Sequence, residues 1–282
     1  MNTNGTFRYK LLAGVAACAL LLAVEGTPVS AEPAQNWWLT FQGQVPIWEE
    51  GTDNSGGSSN LPLGDGFGIG GEFGWKIDDI HSIVTRVKIN RRSNSEQTPY
   101  NPTYSSFGSS QSVANNTFVA DLEIGRDVGL GALGLGDGDL RAFAGVRVGH
   151  LTSNSDSQYS GFYSSSATRR SFTGAGPRIG FSASKPLSES VAFDLGVAGG
   201  VLIGRQKETF ESSYSSFNNR DSRTAVVPNV EASAALKFLF NEDTTFSAGY
   251  KVDAYFNAIG NFGGDKSDRI IHGPFVQFTI KN

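Results

Sequence analysis

From Trp37 onward, apolar side chains recur at every second position in about ten segments, and the positions between them carry Gly, a charge or another polar group. A period of two marks extended chain, because successive side chains leave a strand on opposite faces. Trp37, Leu39, Phe41 and Val45 alternate with Trp38, Thr40, Gln42 and Gln44, and Phe67, Ile69, Phe73 and Trp75 alternate with Gly68, Gly70, Glu72, Gly74 and Lys76. The same beat runs through Ile83–Asn90, Phe118–Ile124, Leu140–Gly149, Gly174–Phe181, Phe193–Ile203, Val226–Phe238, Phe246–Asn257 and Phe275–Ile280. Two-faced segments of about ten residues between turn signals predict an all-β chain, a single antiparallel transmembrane β-barrel of about ten strands.

The links between segments alternate in length. Roughly 18 to 24 residues rich in Ser, Asn and Gly separate the first from the second, third from fourth, fifth from sixth and seventh from eighth. About four to six suffice around Asp78-Asp79, Lys185-Pro186 and Asn241-Glu242, and the Gly129–Gly138 link is intermediate. Outer-membrane barrels have this asymmetry, with short periplasmic turns and long extracellular loops.

A soluble lipocalin-like barrel has the same period with its apolar set inward. Three features favour lipid on the outside. Trp37, Trp75, Phe181, Phe193, Phe238, Phe246 and Phe278 cluster beside the short turns, where an aromatic girdle belongs. Mid-strand apolar positions are often Ala or Val, and the polar face is rich in Gly, a poor solubilising surface but a workable lining for a tightly curved wall.

The N-terminus reads as a leader. Arg8 and Lys10 precede an apolar run from Leu11 to Val24, too short to span a bilayer, and Val29-Ser30-Ala31 offers small residues for cleavage. Residues 1–31 are therefore expected to be a cleaved signal peptide, Glu32 the first mature residue, and 32–282 the barrel domain. Val15-Ala16-Ala17-Cys18 is the alternative lipid-attachment reading; otherwise Cys18 leaves with the leader and no thiol remains. Losing Arg8, Lys10 and Glu25 leaves 21 basic and 26 acidic side chains, a net charge of −5 with no basic stripe, which argues against nucleic acid.

The polar face carries charges of alternating sign. Arg86 and Lys88 oppose Asp121 and Glu123, which oppose Arg141 and Arg147; Arg178, Glu231, Lys251 and Asp253 extend the set. Neighbouring strands lie about 4.8 Å apart, so such side chains pair across the ladder. With Glu72, Lys76, Asp127, Asp194 and Lys237 the inventory is eight basic and seven acidic groups. That balance suits a lumen-filling network and equally a weakly selective pore, and those first ten residues are the candidate pore lining.

Other motifs add little. Gly129, Gly131 and Gly134 match a dinucleotide-binding spacing, but more Gly and Asp follow where a helix would be needed. His81, His150 and His272 lie far apart, no Gly-x-Ser-x-Gly elbow occurs, and no catalytic, metal or cofactor-binding residues are assigned, so an enzyme is not expected. Tyr104-Ser105-Ser106-Phe107, Tyr163-Ser164-Ser165-Ser166 and Tyr214-Ser215-Ser216-Phe217 recur in the long links, as adaptable contact surface or simply as wettable loop.

Gly174-Ala175-Gly176-Pro177-Arg178-Ile179-Gly180, Gly249-Tyr250-Lys251 with Phe256-Asn257-Ala258, and Asp268-Arg269-Ile270-Ile271-His272-Gly273-Pro274-Phe275 resemble the Legionella major outer-membrane protein family, most clearly from Leu140 onward. The resemblance implies a pore-forming outer-membrane barrel with no catalytic residues to carry over. Such barrels commonly finish on an aromatic, whereas here Phe278 is followed by Thr279, Ile280, Lys281 and Asn282. The expected function is a narrow, weakly selective pore for ions or small solutes in a Gram-negative outer membrane. The alternative is a non-conducting structural or adhesin-type barrel whose Ser/Tyr loops bind a surface partner. Expected partners are outer-membrane lipid and lipopolysaccharide, the barrel-assembly machinery, and small solutes or ions.

Overall fold

The computed structural model describes residues 37–50, 66–98, 108–134, 136–159, 164–213, 219–260 and 266–282. The expected signal peptide at residues 1–31, the Tyr104–Phe107 and Tyr214–Phe217 motifs and Tyr163 lie outside them. Strands β1 (Trp37–Gln44), β2 (Ile47–Glu50), β3 (Gly66–Lys76), β4 (His81–Thr98), β5 (Ser109–Asp127), β6 (Asp139–Tyr159), β7 (Ser164–Pro186), β8 (Val191–Ser212), β9 (Asn219–Leu239), β10 (Thr244–Gly260) and β11 (Lys266–Lys281) form one antiparallel sheet in which all but β2 are neighbours in chain order. β1 pairs with β3 on one side and β11 on the other, so the sheet closes. Val45-Pro46 interrupts the first wall strand, and β2 resumes it against β11, with Ile47 opposite His272. Proline has no N–H to give the ladder, which explains the break. The wall thus has ten strands.

Face assignment follows the predicted parity. Phe41, Phe73, Trp75, Leu122, Ile124, Val146, Ile203 and Val276 point outward and are exposed, whereas Thr40, Lys88, Asp121, Glu123, Arg147, Arg178 and Asp253 are buried inside. Apolar side chains outside and ionised groups inside make the protein inside-out relative to a soluble barrel, an arrangement stable only when hydrocarbon is the outer solvent. Phe73, Trp75, Phe193, Phe238 and Phe278 form an exposed aromatic girdle near the short turns.

Three short turns share one plan. The amides of Ile77, Leu187 and Phe240 donate to the carbonyls of His81, Val191 and Thr244, closing four-residue links. Asp78 Oδ1 accepts from the Ile80 and His81 amides at 2.9 and 2.7 Å, and Asn241 Oδ1 accepts from the Asp243 amide at 3.0 Å. Such side chains satisfy turn amides the ladder leaves over. The fourth link holds a 3-10 turn, Leu130–Leu133, ended by Gly134 at φ 70°, a left-handed position that favours glycine. No α-helix follows, so the Gly129–Gly134 spacing is turn chemistry and not a phosphate cradle.

The strands are much longer than the alternation indicates. β6 and β7 run for 21 and 23 residues and stay paired from Asp139/Ser184 up to Tyr159/Ser164. At about 3.3 Å per residue, 23 residues extend roughly 75 Å, against an apolar band only about 25 Å tall. Most of the Ser- and Asn-rich stretches expected as loops are therefore strand: Arg91–Thr98 and Ser109–Asn116 form one paired hairpin wall, Thr152–Tyr159 and Ser164–Ser171 another. Beyond the lipid the outer face no longer has to be apolar, so the two-residue beat fades while the backbone ladder continues.

Candidate functional site: the barrel lumen

Closure of the sheet brings the inward parity of all ten strands into one narrow space. The bore is flattened, and Cα atoms of β10 approach those of β6 and β7 to within 8 Å across it. Along β3 to β6 the rung Glu72, Arg86, Asp121, Arg147 alternates in sign. Arg147 grips Asp121 with Nε and Nη2 at 2.7 and 2.8 Å, the bidentate geometry guanidinium favours. The expected Arg86–Asp121 pair does not form: Arg86 pairs with Glu72 and donates to both oxygens of Glu123 at 2.7 Å.

Several pairs cross the bore instead of following the ladder. Lys88 on β4 binds Asp253 on β10 at 2.6 Å, not the β5 acids opposite it. Arg147 reaches Glu231 on β9 at 2.8 Å and Arg178 reaches both Glu123 and Glu231 at 2.9 and 3.2 Å, while Lys251 meets Glu231 at 2.9 Å diagonally between the paired strands β10 and β9. Glu231 is thus the hub of the belt. Arg141 lies 3.6 Å from Glu123 and donates to Ser82 at 2.9 Å. All ten candidate lining residues join this network, with Glu72 as an eleventh member held by the Trp38 indole N–H at 2.7 Å. Glu123 is 0% exposed and Arg147 2%; charges so desolvated are tolerable only with near-complete pairing.

Of the remaining polar-face charges, Lys237 and Asp194 form a pair of their own at 2.9 Å, and Lys76 is exposed at a strand end. Sequence reasoning missed Phe143, an apolar residue on the inward face of β6, in step with Arg141 and Arg147 and buried. The guanidinium carbons of Arg86, Arg141 and Arg178 lie 5.5, 5.3 and 5.6 Å from its ring centroid, so the ring face stabilises three like charges brought close together. An aromatic between Ala142 and Ala144 was the available signal.

Above the charged belt the lumen turns apolar, which the sequence reading did not foresee. Trp48, Val119, Leu151, Phe172, Leu202, Val227, Tyr255 and Ile271, each at most 7% exposed, converge from eight strands and pack on one another. Over this layer the Arg269 guanidinium lies 5.3 Å from the Trp48 ring and donates to the Asn116 and Thr152 carbonyls, both at 3.1 Å. A cavity of about 310 Å³ remains within the belt itself, lined by Arg86, Lys88, Arg147, Arg178 and Glu231 among others, and it extends toward the short turns past Thr40, Gln42, Ser184, Lys237, Ser247 and Gln277. β10 also departs from regular parity: Asn257 has φ 57° and its amide donates to Asp268, so it sits in a bulge and not on the inner face.

The histidines stay apart. His81 pairs with Asp78 at 2.9 Å on an exposed turn, His150 contacts the Thr173 hydroxyl at 2.7 Å, and His272 contacts Tyr250. Among the described residues no group of His, Cys, Asp and Glu is placed to hold a metal ion.

The family model described as Legionella pneumophila major outer membrane protein precursor matches residues 76–281. The chain belongs to that outer-membrane protein family. The match takes in β4 to β11, hence most of the wall and nearly all of the charged belt. No curated protein matches the chain. Among solved structures, the outer membrane protease OmpT of Escherichia coli is 10% identical, with 88% of this chain and 94% of that one covered at TM-score 0.52. The translocator domain of the autotransporter NalP of Neisseria meningitidis is 12% identical, covering 99% and 98%, at TM-score 0.44. Ail, the attachment invasion locus protein of Yersinia pestis, is 9% identical, covering 87% and 99%, at TM-score 0.33. At these identities the OmpT likeness concerns the barrel fold alone. This member of the family is therefore a ten-stranded outer-membrane barrel.

Proposed function

We propose that this chain is an outer-membrane barrel whose bore is shut and whose working surface is the set of tall hairpins raised beyond the lipid. The apolar layer of Trp48, Leu151, Phe172, Leu202, Val227 and Ile271 carries this reading, because those buried side chains converge inside the wall and pack on one another where a hydrated ion would have to pass. The cross-bore ion pairs beneath support it as a second barrier. The one histidine–carboxylate pair among these contacts, His81 with Asp78, lies at a short turn, whereas His150 meets the Thr173 hydroxyl at the other end of the strands, and we read the protein as non-catalytic. Export through the leader at residues 1–31 belongs to the same reading.

A narrow, weakly selective pore for ions or small solutes is the second reading. It is favoured by the polar cavity of about 310 Å³ that runs from the belt toward the short turns, which amounts to half of a channel. Planar-bilayer recording separates the two. The shut barrel is expected to be electrically silent, and Phe172→Ser with Leu202→Ser to produce openings. Regular discrete steps from the unmodified protein, altered by Glu123→Gln or Arg147→Gln, would instead establish the pore.

A further inference from the structure

Just above the apolar band, the outward face of β6 to β9 carries an uncompensated cationic field. Three consecutive rungs set His150, Thr173, Arg205 and Thr224 in line, then Thr152, Ser171, Lys207 and Ser222, then Asn154, Arg169, Thr209 and Arg220. Arg169, Arg205, Lys207 and Arg220 are exposed, while their neighbours Gln206 and Glu208 are buried inward, which fixes the direction of each side chain. The rung directly below holds Ala175, Ile203 and Val226, the last two exposed apolar groups of the lipid-facing belt. Acids return only two rungs above Lys207, at Asp156 and Glu211. These twelve positions thus hold four fixed cations, one histidine and seven hydroxyl or amide side chains, with no acid and no apolar residue.

Directly opposed positions in a sheet lie about 5 Å apart and successive same-face positions about 7 Å, so these cations repel one another unless an anion lies between them. None of the four makes an ion pair among the described residues. The field is also one-sided: on the adjoining strands β5 and β4 the same three rungs continue as Phe118 and Ile89, Asn116 and Arg91, and Ala114 and Ser93, a single cation. Height, sign and hydroxyl content together select one occupant, an anionic headgroup at the polar edge of the outer leaflet.

We infer that the β6–β9 face binds the phosphorylated glucosamine headgroup of lipopolysaccharide, with Arg205, Lys207, Arg220 and Arg169 pairing its phosphates and the Ser and Thr hydroxyls its sugar. Arginine forks match phosphate bidentately, and basic clusters at a membrane surface hold anionic lipid in this way. The inference requires the outer-membrane location but not a shut bore, so a conducting barrel would leave it standing.

Native mass spectrometry of the folded full chain in detergent tests it, with diphosphoryl lipid A, monophosphoryl lipid A and inorganic phosphate as probes. Diphosphoryl lipid A is expected to bind at least tenfold more tightly than the monophosphoryl form, and R205Q/K207Q/R220Q to lose at least tenfold, with R91Q unchanged. Equal binding by the triple variant, an equal loss in R91Q, or complete displacement of lipid A by millimolar phosphate would overturn the inference, the last by reducing the site to a free-anion patch. Heat-modifiable gel migration verifies that each variant is folded; should the triple variant not fold, R205Q and K207Q singly are expected to lose at least threefold each, and no loss in either overturns the assignment.

Discussion

Glu231 touches four cations, Lys88, Arg147, Arg178 and Lys251, at distances from 2.8 to 3.9 Å. Neutralising it strands positive charge in a space with little water, and breaking a buried pair from one side costs about 3–5 kcal/mol. Glu231→Gln is expected to lower barrel stability by that amount in urea titrations of vesicle-inserted protein read by gel mobility, while Glu189→Gln on an exposed turn stays within about 0.5 kcal/mol. Phe143→Leu removes the ring face from three guanidinium groups and is expected to cost about 1–2 kcal/mol in the same assay. At the opposite extreme of exposure, hydrogen bonds from the His81 ring and the Ile80 amide hold the Asp78 carboxyl below the ordinary aspartate range. A depressed folded-state value means the turn is supported above the unfolded aspartate pKa and loses that support as pH falls through the folded one. The Ile80 and His81 amide resonances should therefore move only below about pH 4, the ordinary aspartate value, and Asp78→Asn should abolish the movement.

At the scale of elements, paired strands continue where composition suggests loop. Amides of Ser153–Ser157, opposite Arg170–Ser166, are expected to be protected in hydrogen exchange for minutes or longer; exchange at the rate of free chain would refute the tall hairpin. Why the sequence hid this is physical. Lipid forces apolar side chains onto every outward position of its own zone, so Phe73, Leu122 and Val146 announced both strand and face, and the short turns announced themselves through Asp, Pro and Asn. Outside that zone neither face is constrained to be apolar, and Thr152–Tyr159 loses its beat without losing its partners. Inward positions are unconstrained in another way, since charge and oil both fill a closed space. Phe172, Leu202 and Val227 could not be told from outward residues of irregular strands, and the cross-bore partners of Lys88 and Arg178 depend on a flattening that no local pattern encodes. The Gly spacing at 129–134 illustrates the converse: a familiar pattern explained by one left-handed residue at Gly134.

At the scale of the molecule, the lumen is stratified: a charged belt enclosing the cavity, the apolar layer and the Arg269 cluster succeed one another from the short-turn end outward. Each stratum fails differently, and that gives a whole-molecule prediction. Phe172→Ser with Leu202→Ser should admit ions while the barrel still shifts on gels with heating, whereas Glu231→Gln should weaken the barrel before it leaks. If the belt variant conducts while the apolar-layer variant stays silent, the order of the barriers is reversed.

If the bore is shut as proposed, the oily stopper seated over salt has a consequence for the cell that makes it: an envelope can be crowded with copies of such a chain, displaying their outer ends in bulk, without opening a route for small solutes, so abundance at the surface and tightness of the envelope need not compete.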